Sequence, residues 1–181
     1  MVRTKKSAIE DSDLVCHIYI EEISGEMKSI LFVCHGNICR SPMAEFVFKD
    51  LVEKQGLSSM FHIESRATSS EEIGNGIHYG TRRKLDEHGI KGYESKRAQR
   101  ITRRDYEEYD YILIMDALNQ RNIVYNVGMD DNHKISRLLD YSNNPRDISD
   151  PWYTGNFDLT YSDIYEGCVS FLDYLKRNDK C

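Results

Sequence analysis

Cys34 and Arg40 are the residues whose types and spacing most directly suggest a chemical function. Cys34 follows an apolar run over residues 30–33, and five residues separate it from Arg40, after which come Ser41 and Pro42. A strand, a tight turn and a helix N-terminus would place the sulfur at the mouth of a ring of backbone N–H groups. Such a ring binds anions because a helix N-terminus carries unsatisfied donors and partial positive charge, and an arginine fork matches phosphate oxygens. The spacing predicts a cysteine nucleophile that attacks phosphorus.

The residues between the cysteine and the arginine suit a loop that stabilises a thiolate. A free thiol has a pKa of about 8.5 and ionises more readily beside a cation or a helix N-terminus. We expect Gly36 to adopt a positive φ that turns consecutive N–H groups inward, and Asn37 to tolerate the left-handed region. Ser41 is predicted to cap a helix that begins at Pro42 and to donate to the sulfur.

A second motif lies far downstream, at Asp150-Pro151-Trp152-Tyr153. The segment Val33 to Pro42 resembles the phosphate-loop signature of the low-molecular-weight protein tyrosine phosphatases, and the downstream motif resembles that family's Asp-Pro-aromatic-Tyr signature. The resemblance covers Met27 to the C-terminus. It implies an enzyme that hydrolyses phosphotyrosine, and small aryl phosphates, through a phosphocysteine intermediate.

The resemblance also implies a role for each matching residue. Cys34 is expected to be the nucleophile, Arg40 the phosphate clamp, and Asp150 the general acid and then the base. Asp147 is a nearby competitor for the acid, but no proline follows it. The loop residues expected to bind phosphate together with Arg40 are His35, Gly36, Asn37, Ile38 and Cys39, with His35 contributing only its amide. The residues expected to support the loop are Asn37, Ser41 and Ser65.

The mouth of the predicted site is expected to be a narrow slot for an aromatic phosphoester. Trp152 and Tyr153 can form its walls. Glu71 stands where many members of the resembled family carry an aromatic residue that contacts substrate, so a strong hydrophobic clamp is not expected there. Lys96 takes a place often held by a histidine that supports the loop asparagine.

Three alternatives stay open. An arsenate reductase of the same fold needs further cysteines to relay a disulfide, and none lies between Cys39 and Cys168, although Cys168 and Cys181 follow. A non-catalytic phosphate-binding or redox-sensing module would keep the thiol but would not need Asp150. Phosphatases of arginine phosphate resemble the loop but tend to carry threonine at the position of Ile38, so the isoleucine favours phosphotyrosine.

The five cysteines, at positions 16, 34, 39, 168 and 181, form neither a disulfide framework nor a metal-ligand motif. We therefore expect a reducing cytoplasm, no metal and no cofactor. The resemblance implies that Cys39 forms a reversible disulfide with Cys34, which protects the nucleophile from irreversible oxidation. A Cys39 that only fills buried space is the alternative.

The composition indicates a single globular domain of 181 residues, with 40% hydrophobic and 30% charged residues. A net charge of −6 gives no general attraction to nucleic acid or to anionic membranes. No apolar run approaches the length of a membrane span. The expected partners are phosphotyrosine-containing proteins, with inorganic phosphate or similar oxyanions as product or inhibitor, and the protein is expected to be a monomer.

Alternating strands and helices are expected to position these residues. Strands are predicted over residues 30–33, 61–65, 111–115 and 134–138. Helices are predicted over residues 42–55, 79–88, 117–127 and 161–176, and Thr102 with Asp105 begins a short helix as a capping box. This alternation predicts an α/β single-domain, three-layer fold in which helices flank both faces of a four-stranded parallel sheet.

Residues 27–181 form the predicted phosphatase domain, and residues 1–26 form an N-terminal extension. The extension has one predicted short strand, over residues 15–20, and no recognisable targeting signal. An ordered extension and a product of an upstream start codon or an added expression sequence are both open, and we favour the second.

Overall fold

A four-stranded parallel sheet forms the centre of the structure, a computed structural model that describes residues 26–178. The strands are β1 (Lys28–Cys34), β2 (Phe61–Ala67), β3 (Tyr111–Ile114) and β4 (Ile135–Arg137). They lie in the order β2-β1-β3-β4, and every neighbouring pair is parallel. Because all strands run the same way, their carboxyl ends share one edge of the sheet, where ligands bind in open α/β folds.

Within residues 26–178, six helices connect and follow the strands. They are α1 (Arg40–Lys54), α2 (Tyr79–Glu87), α3 (Arg103–Glu108), α4 (Ala117–Val127), α5 (Pro151–Thr154) and α6 (Phe157–Asn178). Two short 3-10 segments, Ser58–Met60 and Leu138–Tyr141, lie beside β2 and β4.

The two faces of the sheet are covered by different helices. Ile30 and Phe32 of β1 belong to the core cluster that α1, α2 and α6 complete. Leu31 and Val33, which alternate with them, pack with residues of α3 and α4. An unbroken apolar strand is what burial on both faces requires. The predicted three-layer α/β fold with a four-stranded parallel sheet is confirmed.

Helix boundaries follow local capping. The prediction for residues 117–127 is confirmed, and Thr102 with Asp105 forms the predicted capping box. The predicted start of the last helix at residue 161 is wrong, since α6 begins at Phe157. The reason is that the side chain of Asn156 accepts a hydrogen bond from the backbone N–H of Leu159 at 3.0 Å, which caps an earlier turn.

The predicted N-terminal extension falls almost entirely on residues 1–25, so its short strand lies outside the described residues. Among the helices of residues 26–178, none combines the length and the apolar character that crossing a membrane requires.

Candidate active site

The phosphate-loop candidate connects β1 to α1 at the carboxyl edge of the sheet. The predicted N-cap, Ser41, is wrong: α1 begins at Arg40, and Cys39 is the N-cap, with no side-chain capping bond. Ser41 lies in the first turn, and its hydroxyl is 3.1 Å from Cys34 Sγ. Pro42 also lies in the first turn, where a missing N–H costs no helical hydrogen bond. The serine hydroxyl therefore faces the sulfur instead of the helix end.

Asn37 and Gly36 of the loop are constrained in different ways. Asn37 has φ +57°, in the left-handed region as predicted, and its backbone N–H donates to Cys34 Sγ at 3.3 Å. Gly36 is not among the residues with positive φ, so that expectation is wrong. A side chain there is instead limited by space, because a Cβ on Gly36 would lie 3.1 Å from Cγ of Glu72.

Asn37 is the centre of a buried hydrogen-bond network behind the sulfur. Its Nδ2 donates to Ser41 Oγ at 2.9 Å and to Ser65 Oγ at 2.8 Å. Its Oδ1 accepts the backbone N–H of Gln99 at 3.1 Å. Both N–H groups and the oxygen of the carboxamide are thus engaged, and the loop is held in one conformation.

Glu45 and Lys96 extend this network into the protein. Ser65 Oγ donates to Glu45 Oε2 at 2.5 Å, and Lys96 Nζ pairs with the same oxygen at 2.7 Å. Lys96 therefore supports Asn37 indirectly, through Glu45 and Ser65, and its Nζ also donates to the carbonyl oxygen of Ser65 at 3.1 Å. Burial lowers the pKa of Lys96, although the charge of Glu45 opposes this shift.

The Arg40 guanidinium is 2% exposed and is fixed by three acceptors. Nη1 donates to Asp116 Oδ2 at 2.5 Å and to the carbonyl of Ile148 at 2.9 Å, while Nη2 donates to Asp150 Oδ2 at 2.6 Å. Burial alone would lower the pKa of Arg40, but the negative charges of Cys34, Asp150 and Asp116 raise it. A guanidinium has five N–H donors, so donors are left over for a phosphate.

Asp150 has a second contact that fixes its direction. Its Oδ1 accepts the backbone N–H of Trp152 at 3.0 Å, which caps the short helix α5. The competitor Asp147 pairs with Arg137 at 2.9 Å and does not line the cavity beside Cys34. Of the two aspartates, only Asp150 is held against Arg40.

A cavity of about 100 Å³ unites these groups. Its lining residues are Cys34, His35, Gly36, Ile38, Cys39, Arg40, Glu71, Glu72, Asp150, Trp152 and Tyr153. The structure thus brings together the predicted catalytic, slot and phosphate-loop residues, except Asn37, whose side chain joins the support residues Ser41 and Ser65 behind the cavity. Trp152 is 58% and Tyr153 84% exposed, so these two walls form an open mouth.

A comparison with known proteins agrees with this geometry. The sequence model of the family described as low molecular weight phosphotyrosine protein phosphatase matches residues 29–181. The chain belongs to this family. The family and the enzyme class predicted from the sequence are therefore confirmed.

Individual relatives match most of the chain. The low molecular weight protein-tyrosine-phosphatase YfkJ of Bacillus subtilis is 39% identical over 153 residues, which are 83% of this chain and 97% of the relative. The human low molecular weight phosphotyrosine protein phosphatase is 41% identical over 145 residues, 78% of this chain and 89% of the relative. The crystal structure of YfkJ matches with a TM-score of 0.81 over 86% of this chain and 98% of its own.

Two members of the predicted site have contacts that bear on their roles. His35 Nε2 lies 3.0 Å from Glu71 Oε2, so this imidazole joins the loop to the mouth of the cavity. Cys39 is buried, and its carbonyl accepts the Thr81 hydroxyl at 3.2 Å. Burial raises the pKa of Cys39, and the nearby Cys34 and Asp150 raise it further, which favours the thiol. Cys34 and Cys39 are both free thiols here, and the reversible disulfide stays a prediction.

Three residues of the site are not predicted from the sequence: Asp116, Glu45 and, as a lining residue of the cavity, Glu72. Asp116 lies two residues after the end of β3, at the sheet edge where sites form, and this position was a usable signal. Glu45 gave a weaker signal, as an acid among the apolar residues of α1. Glu72 follows Glu71 on an exposed segment and had no signal of its own.

Proposed function

We propose that this protein hydrolyses phosphotyrosine in proteins, and small aryl phosphates, through a phosphocysteine intermediate on Cys34. One observation carries the proposal. The Cys34 sulfur, which accepts the Asn37 N–H and lies beside the Ser41 hydroxyl, shares one small cavity with the Arg40 guanidinium and the Asp150 carboxyl. A nucleophile, an anion clamp and a proton donor in one cavity are what phosphomonoester hydrolysis needs.

In the first step, Arg40 and the loop amides bind the phosphate oxygens, and the Cys34 thiolate attacks phosphorus. The sulfur–phosphorus bond forms while the bond from phosphorus to the tyrosyl oxygen breaks. Protonated Asp150 gives its proton to the leaving oxygen, so that a neutral phenol departs. The hydrogen bonds from Asn37 and Ser41 stabilise the thiolate before attack.

In the second step, the Asp150 carboxylate accepts a proton from a water molecule, and the water oxygen attacks phosphorus. The phosphorus–sulfur bond breaks, inorganic phosphate leaves and the Cys34 thiolate is regenerated. Asp150 ends protonated and ready for the next substrate. Asp116 does not exchange protons in this scheme; it holds the Arg40 guanidinium at 2.5 Å in the orientation that receives phosphate.

An arsenate reductase mechanism finds less support. It needs a second accessible thiol, and Cys168 is fully buried, with its Sγ donating to the carbonyl of Ala44 at 3.8 Å. Burial also raises the pKa of Cys168, which disfavours the thiolate needed for a relay.

We further propose residues 27–181 as the catalytic domain, acting as a cytoplasmic monomer on phosphotyrosine proteins.

Turnover of p-nitrophenyl phosphate tests the proposal in four proteins: wild type, Cys34→Ser, Asp150→Ala and the control Asp147→Ala. We expect no measurable turnover in Cys34→Ser and a loss of about 10²- to 10⁴-fold in kcat for Asp150→Ala. Asp147→Ala removes a neighbouring carboxylate outside the cavity and should keep the wild-type rate. A Cys34→Ser protein with wild-type activity would rule the mechanism out.

A further inference from the structure

A second, larger groove lies beside the active site, with a volume of about 700 Å³. One wall is the outward face of α2, including Tyr79 and Arg82, and the other is the segment that contains Glu94 and Arg97. The groove is open to solvent and is separate from the cavity that contains Cys34. Its lining mixes aromatic rings with guanidinium groups.

The acids of α2 in this groove already have partners. Asp86 accepts hydrogen bonds from Lys91 Nζ at 2.9 Å and from the Tyr93 hydroxyl at 2.7 Å. Glu87 pairs with Lys84 and, at 3.5 Å, with Arg83. Glu94 is the remaining acid in the lining.

Two arginines of the groove are not neutralised in this way. Neither Arg82 nor Arg97 forms an ion pair with any acid among residues 26–178. Arg97 is nevertheless held in place, since its Nη1 donates to the carbonyls of Glu94 at 2.9 Å and Lys96 at 2.8 Å. A positioned guanidinium with unused donors binds a carboxylate with little further ordering.

The groove adjoins the mouth of the active site through a row of neighbouring aromatic rings. The His78 ring lies 4.4 Å from the ring of Tyr79, which lines the groove, and 5.8 Å from that of Trp152, which lines the catalytic cavity. The His78 backbone N–H also donates to the carbonyl of Ile38 in the phosphate loop, at 2.9 Å. Tyr79 is 66% exposed and offers an aromatic surface between the two sites.

We propose that this groove binds an acidic stretch of the phosphotyrosine protein, on one side of the phosphotyrosine. The inference rests on the proposed function and names the substrate features that the same site selects. An extended chain advances about 3.4 Å per residue, so the steps of 5.8 Å from Trp152 to His78 and 4.4 Å from His78 to Tyr79 correspond to roughly three residues. Acids at about this separation from the phosphotyrosine, or further along the peptide, therefore lie over the groove that contains Arg82 and Arg97. Glu71 and Glu72 line the mouth of the catalytic cavity itself, so they repel acids placed directly beside the phosphotyrosine. A protein with net charge −6 has no general attraction for acidic peptides, so the preference is local.

Three phosphotyrosine peptides of equal length test the proposal. One carries glutamates on the N-terminal side, one carries them on the C-terminal side, and the third has glutamine at all of these positions. The readout is the ratio of kcat/KM between each acidic peptide and the glutamine peptide, measured in wild type, in Arg82→Gln/Arg97→Gln and in Arg104→Gln. Arg104 is an exposed arginine of α3 outside the groove, paired with Glu108 at 2.6 Å.

We expect wild type and Arg104→Gln to prefer one acidic peptide by roughly threefold to tenfold at low salt, as solvent-exposed charge pairs allow. The double variant should lose this preference. Equal rates on all three peptides in wild type, or a preference that survives in the double variant, would overturn the inference while the proposed phosphatase activity stands. Absence of turnover on every peptide and on p-nitrophenyl phosphate would instead reject the proposed function, and the inference with it.

Discussion

The two sides of the phosphate loop differ in how firmly they are held. Behind it lies a buried network of Asn37, Ser41, Ser65, Glu45 and Lys96, in which each polar side chain has partners and little solvent contact. In front lies an exposed rim of Glu71, Glu72, Trp152 and Tyr153.

The buried network and the exposed rim are expected to control different properties of the enzyme. Hydrogen bonds in the buried network gain strength from low local polarity, and any partner that is removed leaves an unsatisfied group. Rim residues are exposed to solvent before substrate binds, so removing one of them leaves no buried polar group without a partner. We expect changes in the network to alter stability and kcat, and changes in the rim to alter KM and substrate preference.

The largest expected effect is on stability, from Lys96→Met. This change removes the less exposed of the two lysine partners of the buried Glu45 carboxylate, which should cost about 1.5–3 kcal/mol in the free energy of unfolding. Lys49→Met is the matched control, because Lys49 pairs with the other oxygen of Glu45, at 2.6 Å, through a side chain that is 41% exposed, against 10% for Lys96. It should cost about 0.5 kcal/mol or less. Urea unfolding of the two variants checks the difference, and equal losses would contradict the account.

Asn37→Gly should lower kcat for an aryl phosphate by about 10- to 100-fold, since supporting residues around a reactive centre commonly have effects of this size. Glycine retains the left-handed conformation of residue 37, so the loss reports the carboxamide contacts to Ser41 and Ser65. Asn37→Ala adds backbone strain and should also be less stable. If Asn37→Gly changed KM alone, the network would not act on the thiolate.

For the rim, Trp152→Ala should raise KM for a phosphotyrosine peptide by roughly threefold to tenfold, with kcat changed much less. The exposed ring covers the substrate's aromatic group and takes no part in proton transfer. Tyr125→Ala is the control, as an even more exposed aromatic residue on α4 that does not line the cavity. A kcat loss in Trp152→Ala as large as that of Asn37→Gly would erase the distinction between network and rim.

The smallest effect concerns His78, whose Nδ1 accepts the backbone N–H of Gly80 at 3.1 Å. Burial, and then the charge of Arg82, lower the pKa of His78 below 6.5. Between that lowered pKa and 6.5 the unfolded chain binds more protons than the folded protein, so stability rises with pH in this window. The contribution is complete above 6.5 and is lost as the pH falls through the lowered value.

We therefore expect the stability difference between wild type and His78→Gln to be larger at pH 7.5 than at pH 5. Unfolding by urea at both values measures it, with His88→Gln as the control for loss of an imidazole. A difference that grows as the pH falls would show that the charged imidazole is the favoured form.

Local sequence patterns predict the phosphate loop and the sheet, whereas contacts between residues far apart in the chain could not be predicted from them. The spacing of Cys34 and Arg40 predicted the loop, and unbroken apolar strands predicted a sheet buried on both faces. Asp116 and Asp150 meet only at Arg40, across 76 and 110 positions of chain, so no local pattern could pair them. The sequence predicts a positive φ at Gly36. In the structure a side chain at this position is instead limited by the nearby Glu72 side chain, a contact that depends on the tertiary structure.

The central claim is that phosphate passes through the Cys34 sulfur, and acid quenching during turnover tests it most directly. With p-nitrophenyl phosphate the leaving group needs little protonation, so Asp150→Ala should form the phosphoenzyme and hydrolyse it slowly. Mass spectrometry of the quenched protein should find phosphate on Cys34, more in Asp150→Ala than in wild type and none in Cys34→Ser. Phosphate on another residue, or turnover without any covalent phosphate in either active protein, would contradict the account.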